Sequence, residues 1–155
     1  MLRVSVVAAL SVLASACVQR IEEPSLSGEA LVARGEYLVL GIGGCNDCHT
    51  PMTPQGPDMA QTLQGATLIF GPLIEMPFAP VAPPLAGGPA GYTDEQFQHF
   101  LETGARPDGS HTLPPMPQFR LNAEDARAVV AYIKTLPAAA AATPDAPPAA
   151  PATTP

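Results

Sequence analysis

The chain has 155 residues, enough for about one domain, and a net charge of −7. That acidity argues against nucleic acid as a partner, which calls for a basic surface. With 20 prolines, 13 glycines and no tryptophan, the chain is rich in loop and poor in the bulky side chains that fill a core. Something large and apolar could fill it instead.

Met1-Leu2-Arg3 and the apolar run Val4–Ala14 form the charged start and short apolar stretch of an export signal. The run is too short to span a bilayer. "LASAC" at 13–17 permits two cleavages. Ala14-Ser15-Ala16 fits ordinary signal peptidase. The same residues resemble a bacterial lipobox, although that motif usually has leucine where Ala14 stands, and Cys17 would then be lipidated as the mature first residue. An odd cysteine in an exported chain favours lipidation. The expected organisation is a signal peptide at 1–16, a lipidated N-terminus and tether at 17–27, a folded unit at 28–137 and a Pro/Ala-rich disordered tail at 138–155.

The first predicted helix is "GEALVARGEYLVLG" (28–41), interrupted by Gly35. "GGCNDCHTP" (43–51) follows. In a helical turn Cys45, Cys48 and His49 stand at i, i+3 and i+4 and share one face. Two thiols can then add to one edge of a porphyrin as thioethers while the imidazole reaches the iron. Cys-x-x-Cys-His is the attachment signature of c-type haem. A thioredoxin-like pair would need a βαβ setting. A structural zinc would need two further ligands, and the remaining candidates, Cys17, His99 and His111, are scattered.

Residues 50–92 are rich in proline and glycine, with a short β-hairpin expected over 66–78, turning at Gly71-Pro72. "TDEQFQHFLETG" (93–104) is the clearest helix. Thr93 and Gln96 make a capping box, and Gly104 sits past the end. Phe97, Phe100 and Leu101 mark its buried face, which leaves His99 on the solvent side. "LPPMPQFRLNAED" holds Met116 between two prolines that stiffen its loop, and a stiff loop can present a thioether as a second axial ligand to iron. Met76, also beside a proline, and His111 are rivals for that role, as are Met59 and, less easily, Met52 beside the motif. "NAEDARAVVAYIKTLP" (122–137) is the last helix, capped by Asn122 and stopped by Pro137. Acids at the starts of these two helices, Asp94/Glu95 and Glu124/Asp125, suit helix capping and equally a basic docking partner.

These stretches together resemble bacterial monohaem class I cytochromes c. "ARGEYLVLGIGGCNDCHTP" is similar to the haem-binding N-terminal part of that family, and "YTDEQFQHFLETGARPDG…LPPMPQFRLNAEDARAVVAYIKTLP" to its middle helix, methionine loop and last helix. The likeness covers most of 30–137 and is vague over 52–90. It implies a small all-α fold with three main helices around one covalently bound haem c. It also implies thioethers at Cys45 and Cys48, His49 as proximal ligand and Met116 as distal ligand. The first and last helices should cross, with Gly35 admitting the Val129–Ile133 face. A ligating histidine needs an acceptor for its other N–H, here a proline carbonyl that the sequence does not single out.

With histidine and methionine closing both axial positions, the expected role is electron transfer rather than catalysis. The neutral thioether and apolar burial both favour the ferrous state. Three readings follow: a periplasmic, membrane-anchored electron carrier, a cytochrome subunit of a periplasmic dehydrogenase, and a small haem enzyme or sensor with a displaceable Met116. Partners are then a dehydrogenase, an oxidase or another cytochrome.

Overall fold

The computed structural model describes residues 25–139. Cys17, the segment expected to be a signal peptide and most of the expected tether and tail lie outside the described residues. The domain is mainly helical. Helix α1 spans Gly28–Glu36 and runs on into a wider π-helical stretch, Tyr37–Ile42. Helix α2 is the short Cys45–His49 segment. Four two-residue strands follow in two antiparallel pairs. β1 (Met52–Thr53) pairs with β2 (Gly56–Pro57), and β3 (Ala66–Thr67) with β4 (Val81–Ala82). Helices α3 (Asp94–Thr103) and α4 (Ala123–Ile133) complete the fold. Among the described residues no helix is long and apolar enough to cross a membrane.

Local signals explain the helix ends. Thr93 Oγ1 accepts from the Gln96 backbone N–H at 3.2 Å, and Gln96 Oε1 accepts from the Thr93 N–H at 2.9 Å. This is the expected capping box. The Asn122 side chain accepts from the Asp125 N–H at 2.8 Å. Helix α4 departs from expectation at its far end. Regular helix stops at Ile133, and single hydrogen-bonded turns carry the chain to Leu136.

The acids at both helix starts are engaged within the domain. Asp94 pairs with Lys134, and Asp125 takes Arg34 through two bonds of 2.8 and 3.2 Å. Arg34 holds the Asp125 carboxyl below the usual carboxylate range, against a smaller effect of burial. Glu124 accepts from the Leu26 N–H at 2.6 Å and lies 3.7 Å from Arg127. Capping and internal pairing thus account for three of the four acids that a basic partner was expected to meet.

The core joins Leu38 and Val39 of the π-helical stretch, Phe97, Phe100 and Leu101 of α3, and the buried face of α4 from Ala126 to Ile133. Phe97 and Phe100 stack at 5.8 Å, with Tyr92 edge-on to both. Gly35 does not break the first helix. It lets the α1 backbone press on α4: a Cβ there would stand 2.0 Å from the Ala128 carbonyl oxygen and 2.7 Å from Tyr132 Cβ.

The hairpin needs correction. Its first strand starts at Ala66 as expected, but its partner is Val81–Ala82, and Gly71-Pro72 lies inside the long loop between them. Pro72, Pro77 and Pro80 lack the N–H donors that a close return strand would use. The tight β1–β2 turn, closed by Thr53 Oγ1 donating to the Gly56 carbonyl at 2.8 Å, was not expected at all.

Gly35→Ala tests the helix crossing. Alanine is the better helix former by about 1 kcal/mol, yet overpacking against backbone costs about 1–3 kcal/mol or more. The haem-loaded protein should lose roughly 5–10 °C in melting temperature. Gly71→Ala, where a Cβ meets nothing within 4 Å, should leave the melting temperature unchanged.

Candidate functional site

Gly44 takes the left-handed conformation (φ 58°) and turns the chain from the π-helical stretch into α2. The five-residue helix puts Cys45, Cys48 and His49 on the wall of one cavity, as their i, i+3, i+4 spacing predicts. The rest of that wall is overwhelmingly apolar. Val39, Phe97, Phe100, Leu101, Val129 and Ile133 come from the helices, and Leu68, Ala82 and Pro83 from the strand region.

His49 is buried, and its Nδ1 lies 2.7 Å from the Pro83 carbonyl oxygen. A carbonyl only accepts, so Nδ1 carries the proton and Nε2 keeps its lone pair. Burial lowers the ring's pKa and outweighs the opposing pull of that carbonyl. A neutral imidazole with its other nitrogen fixed is the form that binds iron. The acceptor left open among the prolines of 51–89 is therefore Pro83.

A knot of buried backbone holds this arrangement. The His49 carbonyl accepts from Gly65 N–H at 2.8 Å. Thr50, 1 % exposed, accepts the Leu63 N–H on its hydroxyl at 2.9 Å. The Leu63 carbonyl takes both Leu85 and Ala86 N–H groups, at 2.9 and 3.1 Å. Leu63 is fully buried with φ 58°, a conformation that leucine adopts only when its surroundings impose it. Leu63 carries no sequence signal for this role. A threonine directly after a haem-type motif was the one available hint.

Met116 reaches the same cavity wall from the other end of the sequence, with Pro115, Pro117 and Phe119 beside it. Thr112 Oγ1 donates to the Met116 carbonyl at 3.2 Å, and the Ala79 N–H donates to the Pro114 carbonyl at 2.8 Å. The rivals stand elsewhere. Met52, Met59 and Met76 are 37, 52 and 41 % exposed and off that wall. His99 and His111 are exposed, and His111 Nδ1 lies 3.0 Å from the Gly104 carbonyl.

The thiols are not poised as nucleophiles. Burial pushes Cys45 up to about 11, and burial also raises Cys48. A redox-active pair would have the opposite shift. Among the described residues no group of three or more His, Cys, Asp or Glu side chains could hold a metal ion.

A family model described as cytochrome c matches residues 32–137. The chain belongs to the cytochrome c family. This cytochrome c resembles the cytochrome subunit of fructose dehydrogenase from Gluconobacter japonicus, at 34% identity over 115 residues, 72% of this chain and 22% of that one. It is 35% identical over 107 residues to the cytochrome c subunit of alcohol dehydrogenase (quinone) from Gluconobacter oxydans, covering 67% of this chain and 21% of the relative. A diheme c-type cytochrome of Cereibacter sphaeroides is 32% identical over 111 residues, 68% of this chain and 35% of that one. The chain thus spans about a fifth of the first two relatives and about a third of the third.

A cytochrome c domain carries covalently attached haem c and works as an electron carrier. The residues present fit that group. The wall is apolar, two thiols and a neutral imidazole lie on it together, and one cation, Arg106, joins them. Among the described residues no carboxylate lies within ion-pair distance of Arg106, so its guanidinium is available to a carboxylate of the cofactor.

Thr50→Val tests the knot. The isostere leaves the Leu63 N–H buried without an acceptor, which costs about 1–3 kcal/mol. Denaturant unfolding of the haem-loaded protein should show that loss with an unchanged m-value. An unchanged midpoint would remove Thr50 from the site's support.

Proposed function

We propose that this is a single-haem class I cytochrome c with histidine–methionine axial ligation, carrying electrons for a periplasmic dehydrogenase. One observation carries the reading: the fold gathers Cys45, Cys48, His49 and Met116 on one apolar wall although Met116 is remote in sequence. Cys45 and Cys48 hold the thioethers, and His49 is the proximal ligand, oriented by Pro83. Met116 is the distal ligand, presented by a loop stiffened by Pro115 and Pro117. Of the candidates weighed for that place, Met116 alone lies on the wall. The sequence contains one Cys-x-x-Cys-His motif, which supports one haem.

The bound haem supplies a one-electron iron couple. His49 and Met116 would hold the iron in both oxidation states, and the apolar wall would disfavour the extra charge of the ferric form. Relatives that are named cytochrome subunits of dehydrogenases support a dehydrogenase as electron donor. They equally favour a second form of the reading, in which this chain stays bound as a subunit of such a complex. The class I assignment rests on the helix order and on the methionine loop placed just before α4. In location, the reading is a periplasmic lipoprotein with its lipid on Cys17.

Met116→Leu should keep haem covalently bound, lower the reduction potential by on the order of 100 mV, and admit cyanide or carbon monoxide readily. Met76→Leu should do neither. Survival of the methionine charge-transfer band in the Met116 variant, with its loss in the Met76 variant, would reassign the ligand. Wild-type protein that lacks the band and binds carbon monoxide at once would move the reading to an enzyme or sensor.

Cys17→Ser should release the protein from the membrane fraction into the soluble periplasm, since stable anchoring needs the acyl chains that this cysteine would carry. Retention in the membrane fraction would exclude lipidation as the anchor.

A further inference from the structure

The loop between β3 and β4 exposes apolar side chains that its own domain leaves uncovered. Leu73 is 102 % exposed, Ile69 78 % and Ile74 73 %, with Phe70 and Met76 about half exposed beside them. These five side chains fall within eight residues, 69–76. Isolated exposed apolar residues need no explanation, but a contiguous set of this size marks a contact surface.

The loop is held in shape. The β3–β4 pair closes its base, and the Leu68 N–H donates to the Pro80 carbonyl at 2.9 Å. Phe70 meets Phe78 edge-on at 6.2 Å. The Ala79 N–H is anchored on Pro114, in the methionine loop.

Two features say what it receives. First, the patch is continuous with the rim of the haem cleft. Leu68, Ala79 and Val81 at the base of the loop lie on the cleft wall with Leu113, and Val81 and Leu113 also face solvent. A protein seated on the loop therefore stands beside the cofactor edge. Second, between Asp58 and Asp94 the sequence has a single charged residue, Glu75, so attraction there cannot depend on ion pairs. A lipid surface fits less well. Glu75 would enter the bilayer with the tip, no lysine or arginine stands in the segment to meet headgroups, and the chain's −7 charge opposes an anionic leaflet.

We propose that loop 68–80 is the docking surface for the redox partner, and that the partner offers an apolar, uncharged surface around its own redox centre. This rests on the carrier reading and adds how the partner is recognised: by desolvation, with little dependence on salt.

The test uses full-length, haem-loaded protein and its Leu73→Ser/Ile74→Ser variant. Both side chains point to solvent, so the variant should share the wild-type spectrum and potential. Membranes of the producing bacterium, lacking the gene for this chain and oxidising an alcohol, serve as the reductant. The half-saturating cytochrome concentration should rise about tenfold in the variant with the maximal rate unchanged. The wild-type rate should stay within about twofold from roughly 20 to 500 mM salt. Equal half-saturation for the two proteins would overturn the proposal, as would a wild-type rate that falls tenfold over that salt range. Binding to phosphatidylcholine vesicles that the variant loses would assign the loop to lipid instead. A wild-type dimer that the variant converts to monomer would assign it to a second copy of the chain. Failure of the carrier reading shows elsewhere, in a wild-type spectrum without methionine ligation, which the variant would share.

Discussion

The site depends on one hydrogen bond, from His49 Nδ1–H to the Pro83 carbonyl. It fixes which nitrogen is protonated, which nitrogen is free and how the ring can turn. This carbonyl suits the task because Pro83 has a locked φ and the peptide it shares with Pro84 has no N–H that could enter a competing ladder. The fold around it keeps that carbonyl still. Leu63 anchors Leu85 and Ala86 just beyond Pro83, and Gly65 and Thr50 tie the other side of the same knot to α2. The loop region that looks least organised in sequence is therefore the support of the buried imidazole.

The helical frame does a different job. Helices α1 and α4 meet where Gly35 lies against Ala128 and Tyr132, and α3 supplies an aromatic layer through Phe97 and Phe100. These elements wall the cleft on the side away from the strands. Caps at the helix starts, short side chains at the crossing and ion pairs across neighbouring helices support them. The proposed docking loop lies on the other side, where the chain has few charges and few regular elements.

Legibility in the sequence divides along the same line. Caps and apolar stripes are short-range signals, and Thr93, Gln96, Asn122 and the Phe97/Phe100/Leu101 stripe could be read directly. The spacing of Cys45, Cys48 and His49 was equally plain as an attachment signature, and the fold sets the three side chains on one cavity wall. Gly35 was expected to admit the Val129–Ile133 face, and its nearest atoms belong to Tyr132 of that face and to Ala128 just before it. Pro83 was not legible, since many prolines offer the same carbonyl and only tertiary placement selects one. Leu63 could not be found either. Nothing in a leucine announces a left-handed backbone, which the bonds from Thr50, Leu85 and Ala86 enforce. The hairpin was misplaced because a Gly-Pro pair signals a turn without saying how far apart the paired strands stand.

The Ala79–Pro114 bond couples two loops that the sequence sets far apart. It joins the exposed apolar loop to the backbone two residues before Met116. Any force on one loop is then transmitted to the other, and thermodynamic linkage makes the effect mutual. A partner docked on that loop as proposed would bear on the backbone that presents Met116, and a shift of Met116 would bear on the partner. Docking loop and site can thus be coupled through one backbone hydrogen bond, with no moving domain.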